Sequence, residues 1–505
     1  MGLRNISHPD ILRRNAASLG ERTAFLFEGR RVSHRDHLRR VERLAAGLAR
    51  AGVVAGDRIA VSARNGLEFA DLYGAAAWLG AILLPVNWRL APGEIAYVLA
   101  DGAPRLVIAD AEDQRGIAAL AASLPSVAGY YGLGGTLAPF RPFAELAECA
   151  AAPPAAVSRG DDGAVIIHTA AVDGHPRGAL LSHANLIAAA GQTVAAWQLD
   201  EHDVGLVALP LFHIAGLGLL LAVQLAGGAS LIPAKFEPES AARLVAEAQA
   251  TVFVEFAPML GALLDKAAAI GASLASLRAV AGLDTPETIA RFEAACPAAR
   301  FWAGYGQSET SGYITLSPWR ARPGSAGRAT WLNLVAVVDE IDRALPAGEI
   351  GEIVVRGPLV FRGYWRRDDD NALAWRNDWH HTGDLGRFDA DAYLWYAGRS
   401  PAKELIKPGG ENVYPAEVER TLREHEAIAE VAVIGVPDAQ WGEAVKAVCV
   451  CRPDKSVTAA ALIDFVGGRI ARYKKPKHVV FVAALPRTAS GVIDRAKVKD
   501  EHGRG

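Results

Sequence analysis

The chain is short of cysteine, has no long run of like charge and carries no apolar leader. Each shortage removes a class of explanation. Four cysteines (Cys149, Cys296, Cys449 and Cys451) stand in 505 residues without paired metal-ligand spacing. Free thiols in a reducing cytoplasm are therefore expected. Cys449 and Cys451 alternate in what reads as a strand, where they serve as small core hydrophobes. The 53 basic and 56 acidic residues leave a net charge of −3, which argues against a nucleic-acid surface. Residues 1–22 hold several arginines and no apolar core segment, so they do not read as a signal peptide. No internal repeat is visible. The apolar stretch from Ile214 to Ile232 nears membrane-spanning length but contains Gln224, Ser230 and four glycines. It reads as a buried helix running into a strand, so no transmembrane segment is expected.

What is present is bulk and periodicity. A chain of 505 residues that is 51% hydrophobic is long for one core, so two or more domains are expected. The first ~400 residues alternate short β-branched runs with helical patterns. Strands are predicted at Arg58–Val61, Ile82–Val86, Arg105–Ala109, Ala164–Ile167, Gly205–Leu209, Ser230–Pro233, Thr251–Val254 and Phe301–Tyr305. Helices are predicted at Arg35–Ala51, Leu67–Gly80, Pro92–Ala100, His183–Trp197, Pro238–Gln249 and Pro286–Ala295. This alternation implies parallel sheets covered by helices. Ala151–Asp162 reads as an Ala/Pro-rich linker between two sub-blocks. From about Trp331 strands and turns dominate, with Glu349–Arg356 and Tyr393–Ala397 as candidates. After Gly398-Arg399 a compact α+β unit begins. It has a helix opened by Pro415, strands Val431–Val436 and Ala444–Cys451, a helix Thr458–Arg472 and a strand His478–Val482. The expected architecture is α/β: a large N-terminal domain of helix-covered sheets with a β-rich subdomain over residues 1–402, plus a small mobile C-terminal α+β domain over 403–505.

Three strings occur in order: Tyr-Gly-Gln-Ser-Glu-Thr at 305–310, His-Thr-Gly-Asp at 381–384 and Gly-Gly-Glu-Asn-Val-Tyr-Pro at 409–415. Together they resemble the adenylate-forming enzymes: acyl-CoA synthetases, luciferases and peptide-synthetase adenylation domains. The resemblance covers essentially the whole chain. It implies ATP, magnesium and coenzyme A as cofactors, and a small carboxylic acid as substrate. Glu309 matches the magnesium-binding Glu. Tyr305 would flank the adenine, and Gly304 and Gly306 would let flat groups lie close to the backbone. Asp384 would accept from both ribose hydroxyls, because a carboxylate is acceptor-only with two oxygens, and Arg399 would contact the ribose too. His213, in Leu-Pro-Leu-Phe-His at 209–213, matches the His bordering the acyl pocket, with Ile214, Phe256 and Tyr313 as further wall residues. Lys403 matches the hinge, in a segment two residues longer than the commonest family form. About it the small domain would swing Gly409-Gly410 to the adenylate and open a thiol channel. Trp441, Tyr473 and Lys475 match positions that contact coenzyme A. Family members are often dimers, so a homodimer is one state the resemblance allows.

Two departures from the pattern bear on catalysis. The phosphate loop Thr-Ser-Gly-Thr-Thr-Gly-x-Pro-Lys-Gly is here Thr-Ala-Ala-Val-Asp-Gly-His-Pro-Arg-Gly at 169–178. Thr169, Gly174, Pro176 and Gly178 keep the skeleton, while Ala170, Ala171, Val172, Asp173 and Arg177 depart. Thr169 and Arg177 remain catalytic candidates, beside Glu309 and His213. A carboxylate ~5 Å from a phosphate charge costs about 3 kcal/mol, which Asp173 would offset as an extra metal ligand. Near the end, Leu485-Pro486-Arg487-Thr488 is followed by Gly491-Val492, so Val492 stands where relatives carry the Lys that bridges carboxylate and α-phosphate. Arg495 keeps its family place. The reading that follows is an AMP-forming acyl-CoA synthetase for a fatty or aromatic acid. The alternatives are a weakened relative that binds nucleotide or acyl-CoA, or an enzyme running mainly the thioester half-reaction.

Overall fold

The computed structural model describes residues 5–169, 175–399, 405–409, 411–487 and 493–503. The expectations placed on residues 170–174, Lys403, Gly410, Thr488, Gly491 and Val492 lie outside them.

Two large sheets carry the N-terminal domain. A seven-stranded sheet runs Arg141–Pro142, Gly129–Leu133, Leu106–Asp110, Arg58–Ser62, Ile82–Pro85, Gly163–Thr169, Arg177–Ser182. All its neighbours are parallel except the last pair. A nine-stranded sheet has a parallel centre from Arg300–Gln307 through Ala279–Leu283 and Val252–Phe256 to Thr23–Phe27, with antiparallel strands at both ends. The parallel strands are buried on both faces, which is why they read as continuous apolar runs. The helix Leu67–Leu79 is buried along its whole length and stops at Gly80, whose φ of +65° is the left-handed cap that glycine adopts without strain. Ile214–Ala226 is a buried helix followed by the strand Ala229–Leu231, as expected. No helix among the described residues is long and apolar enough to cross a membrane.

Two expectations change. Residues 151–162 form no helix or strand, but they do not separate sub-blocks: strands before and after them share the seven-stranded sheet, and the early strand Thr23–Phe27 belongs to the other one. Composition marks a loop; it carries no information on which sheet the next strand joins. The helix expected over Thr458–Arg472 ends at Gly467, where Gly467-Gly468 interrupts it, and the chain resumes as a single 3-10 turn at Arg472–Lys474.

An antiparallel five-stranded sheet, including Gly351–Arg356, Trp379–Phe388 and Leu394–Arg399, forms the β-rich subdomain. Beyond it the strands Ile428–Asp438, Gly442–Cys451 and His478–Phe481 form a small sheet. Helices Pro415–Arg423 and Ala459–Gly467 cover it around a core of its own, including Val418, Leu422, Val433 and Leu462. Polar contacts join this unit to the large domain: Arg89 ion-pairs with Glu411, and Lys474 with Glu94.

Candidate active site

The strand Arg300–Gln307 ends in a 3-10 turn, Ser308–Thr310, that places Glu309 at the carboxyl edge of the parallel sheet, where open α/β sheets bind ligands. Glu309 is 5% exposed. Its Oε1 accepts from the Thr169 hydroxyl and from the Tyr364 phenol, both at 3.0 Å. Thr169 ends one strand and pairs across the hairpin with Arg177. Arg177 lies over the Tyr364 ring, 4.3 Å from its centroid, and donates to Asp370 at 2.8 Å. Three sequence candidates, Glu309, Thr169 and Arg177, are thus one cluster, completed by Tyr364 and Asp370.

Asp384 is the centre of a second cluster. It lies inside the strand Trp379–Phe388, not in a turn. Gly383 takes φ +68°, and its N–H donates to Glu352 at 2.8 Å, which fixes the backbone beside Asp384. Asp384 Oδ2 accepts from the Tyr305 phenol at 2.6 Å and the Gln307 amide at 2.5 Å. Its Oδ1 lies 3.0 Å from Arg399 Nε but accepts no aligned hydrogen bond among the described residues. Burial, then the adjoining Asp384 carboxylate, raise the Tyr305 phenol pKa well above normal, so Tyr305 stays a donor. The Tyr305 and Tyr396 rings stack at 6.1 Å.

Tyr414, from the third string, joins the two clusters. Burial, opposed by Arg399, pushes its phenol up to about 12, and Glu309, Asp384 and Arg177 all act on it as well. Tyr414 of the small domain thus lies within electrostatic reach of Glu309, Asp384, Arg177 and Arg399. Lys407 is solvent-exposed, yet enough of the protein surrounds it that desolvation lowers its pKa; Arg399 lowers it further and Asp384 opposes.

Gly304 and Gly306 are also required by the packing of the sheet. A Cβ at Gly304 would meet the Thr315 carbonyl at 2.5 Å, and one at Gly306 the Gly312 carbonyl at 1.9 Å. What glycine admits here is the neighbouring strand Gly312–Pro318, which turns back against the site.

His213 caps the helix Ile214–Ala226: its Nδ1 accepts the Ala215 N–H at 3.2 Å. Asn65 pins the preceding loop, donating to the Leu209 carbonyl and accepting from the Leu211 N–H, both at 2.9 Å. The His213 ring meets Phe256 edge-on at 6.1 Å. Burial lowers its pKa, so the imidazole is neutral at pH 7; Glu411 of the small domain opposes that shift. Gly409 has φ +59°, and a Cβ there would meet the Trp441 ring at 2.6 Å. Trp441 is exposed; Tyr473 is half-buried and Lys475 exposed. These three are not drawn into the clusters above.

Sequence reasoning missed Tyr364, Gln307, Tyr414 and Lys407. Gln307 and Tyr414 stand inside the quoted strings and were within reach. Tyr364 carries no local signal.

The family model described as AMP-binding enzyme matches residues 12–365, and the one described as AMP-binding enzyme C-terminal domain matches residues 417–491. The chain is 34% identical over 487 residues to a feruloyl-CoA synthase of Amycolatopsis sp, covering 95% of this chain and 96% of the relative. A solved structure from Rhodopseudomonas palustris is 55% identical, with a TM-score of 0.77, over 79% of this chain and 100% of the other. The o-succinylbenzoate CoA synthetase of Bacillus subtilis, solved with a product analogue, has a TM-score of 0.87 at 27% identity over 98% of this chain and 99% of the other.

Proposed function

Because the chain belongs to the AMP-binding enzyme family, among carboxylic acid–CoA ligases, we propose that it is an AMP-forming acyl-CoA synthetase for a fatty or aromatic acid. The observation that supports this reading best is that the Glu309 and Asp384 clusters flank one strand, Arg300–Gln307, and its following turn, with Tyr414 of the small domain in electrostatic reach of both.

In this reading the acid's carboxylate attacks the α-phosphorus of ATP and pyrophosphate leaves. The thiol of coenzyme A then attacks the acyl carbon, giving the thioester and AMP. Asp384 takes the ribose hydroxyls and Arg399 holds its charge in place. Tyr305 flanks the adenine beside the Gly304–Gly306 backbone. His213, neutral, borders the acyl group with Phe256. Thr169 and Arg177 orient the phosphates. Mg2+ takes one or two protein carboxylates when phosphates complete its shell, and Glu309 supplies one; no cluster of three acidic, His or Cys ligands exists among the described residues. Bound there, the ion would neutralise charge on the phosphate oxygens. Catalysis is then mostly positioning and charge stabilisation. We place the domain boundary at 402/403, with Lys403 as pivot, and assign Gly409 and Gly410 to the thiol channel and Trp441, Tyr473 and Lys475 to coenzyme A. The chain acts in the cytoplasm.

The test is AMP release from a panel of short, long-chain and aromatic acids with ATP, Mg2+ and coenzyme A. Release that depends on both acid and thiol is the expected result; none with any acid overturns it. One observation favours a second reading, an enzyme weak in adenylation: Val492 occupies the place of a bridging Lys. Synthetic acyl-adenylate turned over with coenzyme A, without acid-dependent pyrophosphate exchange, would establish it.

A further inference from the structure

Away from the clusters above, the two domains share a second polar contact, and it is buried. Glu94 stands in the first turn of the helix Pro92–Gly102 of the large domain. Its Oε2 accepts the Ala91 N–H at 2.7 Å, so the carboxylate is fixed by its own helix before the small domain arrives. From the small domain, Lys474 ion-pairs with Glu94, and the Ala471 N–H donates to Glu94 Oε2 at 2.9 Å. Lys474 also donates to Glu417 at 2.7 Å, within the small domain. The three side chains are 3%, 9% and 5% exposed for Lys474, Glu94 and Glu417. Lys475, beside it, is exposed.

The arrangement is a reversible bond. If the domains part, Lys474 keeps Glu417 and Glu94 returns to water, so neither side is left with an uncompensated buried charge. If they stay together, two carboxylates share one ammonium in a dry place. The pose this bond fixes is a defined one. In it Glu411 ion-pairs with Arg89, Gly409 packs on Trp441, and Tyr414 and Lys407 come within electrostatic reach of Asp384 and Arg399.

We propose that Glu94 and Lys474 are positioning residues for thioester formation: their buried bond, shared with Glu417, latches the small domain in the pose that carries the Glu411–Tyr414 segment to the site. The proposal rests on the two-step reading above. Adenylation uses another pose and does not need the latch.

The experiment compares Glu94→Gln, Lys474→Met and Lys474→Arg with the unaltered chain in two separate assays. One is acid-dependent pyrophosphate exchange; the other is thioester formation from synthetic acyl-adenylate and coenzyme A. Thermal melts confirm that each variant folds. Energy transfer between dyes on the two domains reads the pose directly. In Glu94→Gln and Lys474→Met the thioester step falls by about tenfold to a hundredfold, the loss typical of a small misplacement. Exchange holds or rises, the inter-domain distance shifts, and Lys474→Arg keeps most of the thioester rate. Equal loss in both assays, or loss in neither, overturns the latch. If the unaltered chain shows neither half-reaction, the enzyme reading fails, and the dye distance alone decides the latch: an unchanged distance in Glu94→Gln and Lys474→Met overturns it.

Discussion

The cluster proposed to hold the ribose and the one proposed to hold the phosphates, here the ribose end and the phosphate end, are built to different standards. At the ribose end Asp384 is 2% exposed and gathers Tyr305, Gln307 and Arg399 from two sheets. Every one of these residues conforms to the family strings. At the phosphate end, Arg177 already has an anion in Asp370 and a ring in Tyr364, and five of the loop's residues depart from the pattern. The contrast teaches that holding a nucleotide and transferring its phosphorus are separable demands. In the proposed reading this chain keeps the residues for the first and meets the second with altered parts.

Asp384→Ala tests the stronger end and should have the largest effect. It strips the anion from a half-buried Arg399 and removes an acceptor from Tyr305 and Gln307, leaving Gln307 only the Thr382 carbonyl. Breaking such a pair costs about 3–5 kcal/mol. Nucleotide affinity, read by calorimetry, should fall by two to three orders of magnitude; a drop below about tenfold would put the ribose elsewhere. Val492→Lys tests the weaker end. One preorganised charge is worth about 2.7–4 kcal/mol at a transition state. Acid-dependent pyrophosphate exchange should rise by up to ~10² to 10³, with thioester formation from the adenylate unchanged. A flat exchange rate would mean that another cation already serves.

Acid pH must be kept apart from both tests, because the large domain carries its own acid sensitivity. Burial lowers the pKa of His8 and His37 to about 3 and of His183 to about 4, against 6.5 unfolded. His8 and His183 line a small cavity with Tyr73 and Gln224 between helices, and neither Nε2 finds a hydrogen-bond partner among the described residues. Below pH 6.5 the unfolded chain binds these protons and the folded one does not. The contribution of each of these histidines to stability is therefore full above pH 6.5 and falls as pH drops toward 4, by up to about 1.4 kcal/mol per pH unit. Asp71, raised to about 6 by burial, pulls the other way, and so do Glu255, raised well above normal by burial, and Asp110, Asp113 and Asp284. The histidine share is therefore read as a difference: between pH 7 and 4.5 the denaturant midpoint of His183→Asn should fall less, or rise more, than that of the unaltered chain. Parallel profiles would refute the burial argument.

Local pattern revealed the elements and the three strings because both are written in consecutive residues. Leu67–Leu79 reads as an apolar helix ending at glycine, and Glu309, Asp384 and Arg399 stand in or beside recognisable strings. The rest was hidden because it depends on partners far apart in the chain. Tyr364 reaches Glu309 across 55 residues, and Lys474 reaches Glu94 across 380. Neither has a neighbour in sequence that signals its role. The exchange of strands between the two large sheets is likewise invisible to periodicity, which reports which face of a strand is buried and not which strand lies beside it.

The smallest effect would do most to sharpen the contrast between the two ends. Asp370 and Arg177 are 2.8 Å apart, with side chains 31% and 15% exposed. At that exposure the pair is worth at most about 1 kcal/mol. If Asp370 competes with the triphosphate for Arg177, Asp370→Asn keeps the shape, removes the charge and frees the guanidinium. The KM for ATP should then fall by roughly threefold to fivefold with kcat little changed, since the gain lies in ground-state binding. If Asp370 instead aims Arg177 at the phosphates, the same change raises KM and lowers kcat together. The sign of one modest shift thus decides whether the phosphate end is handicapped by its own anion or organised by it.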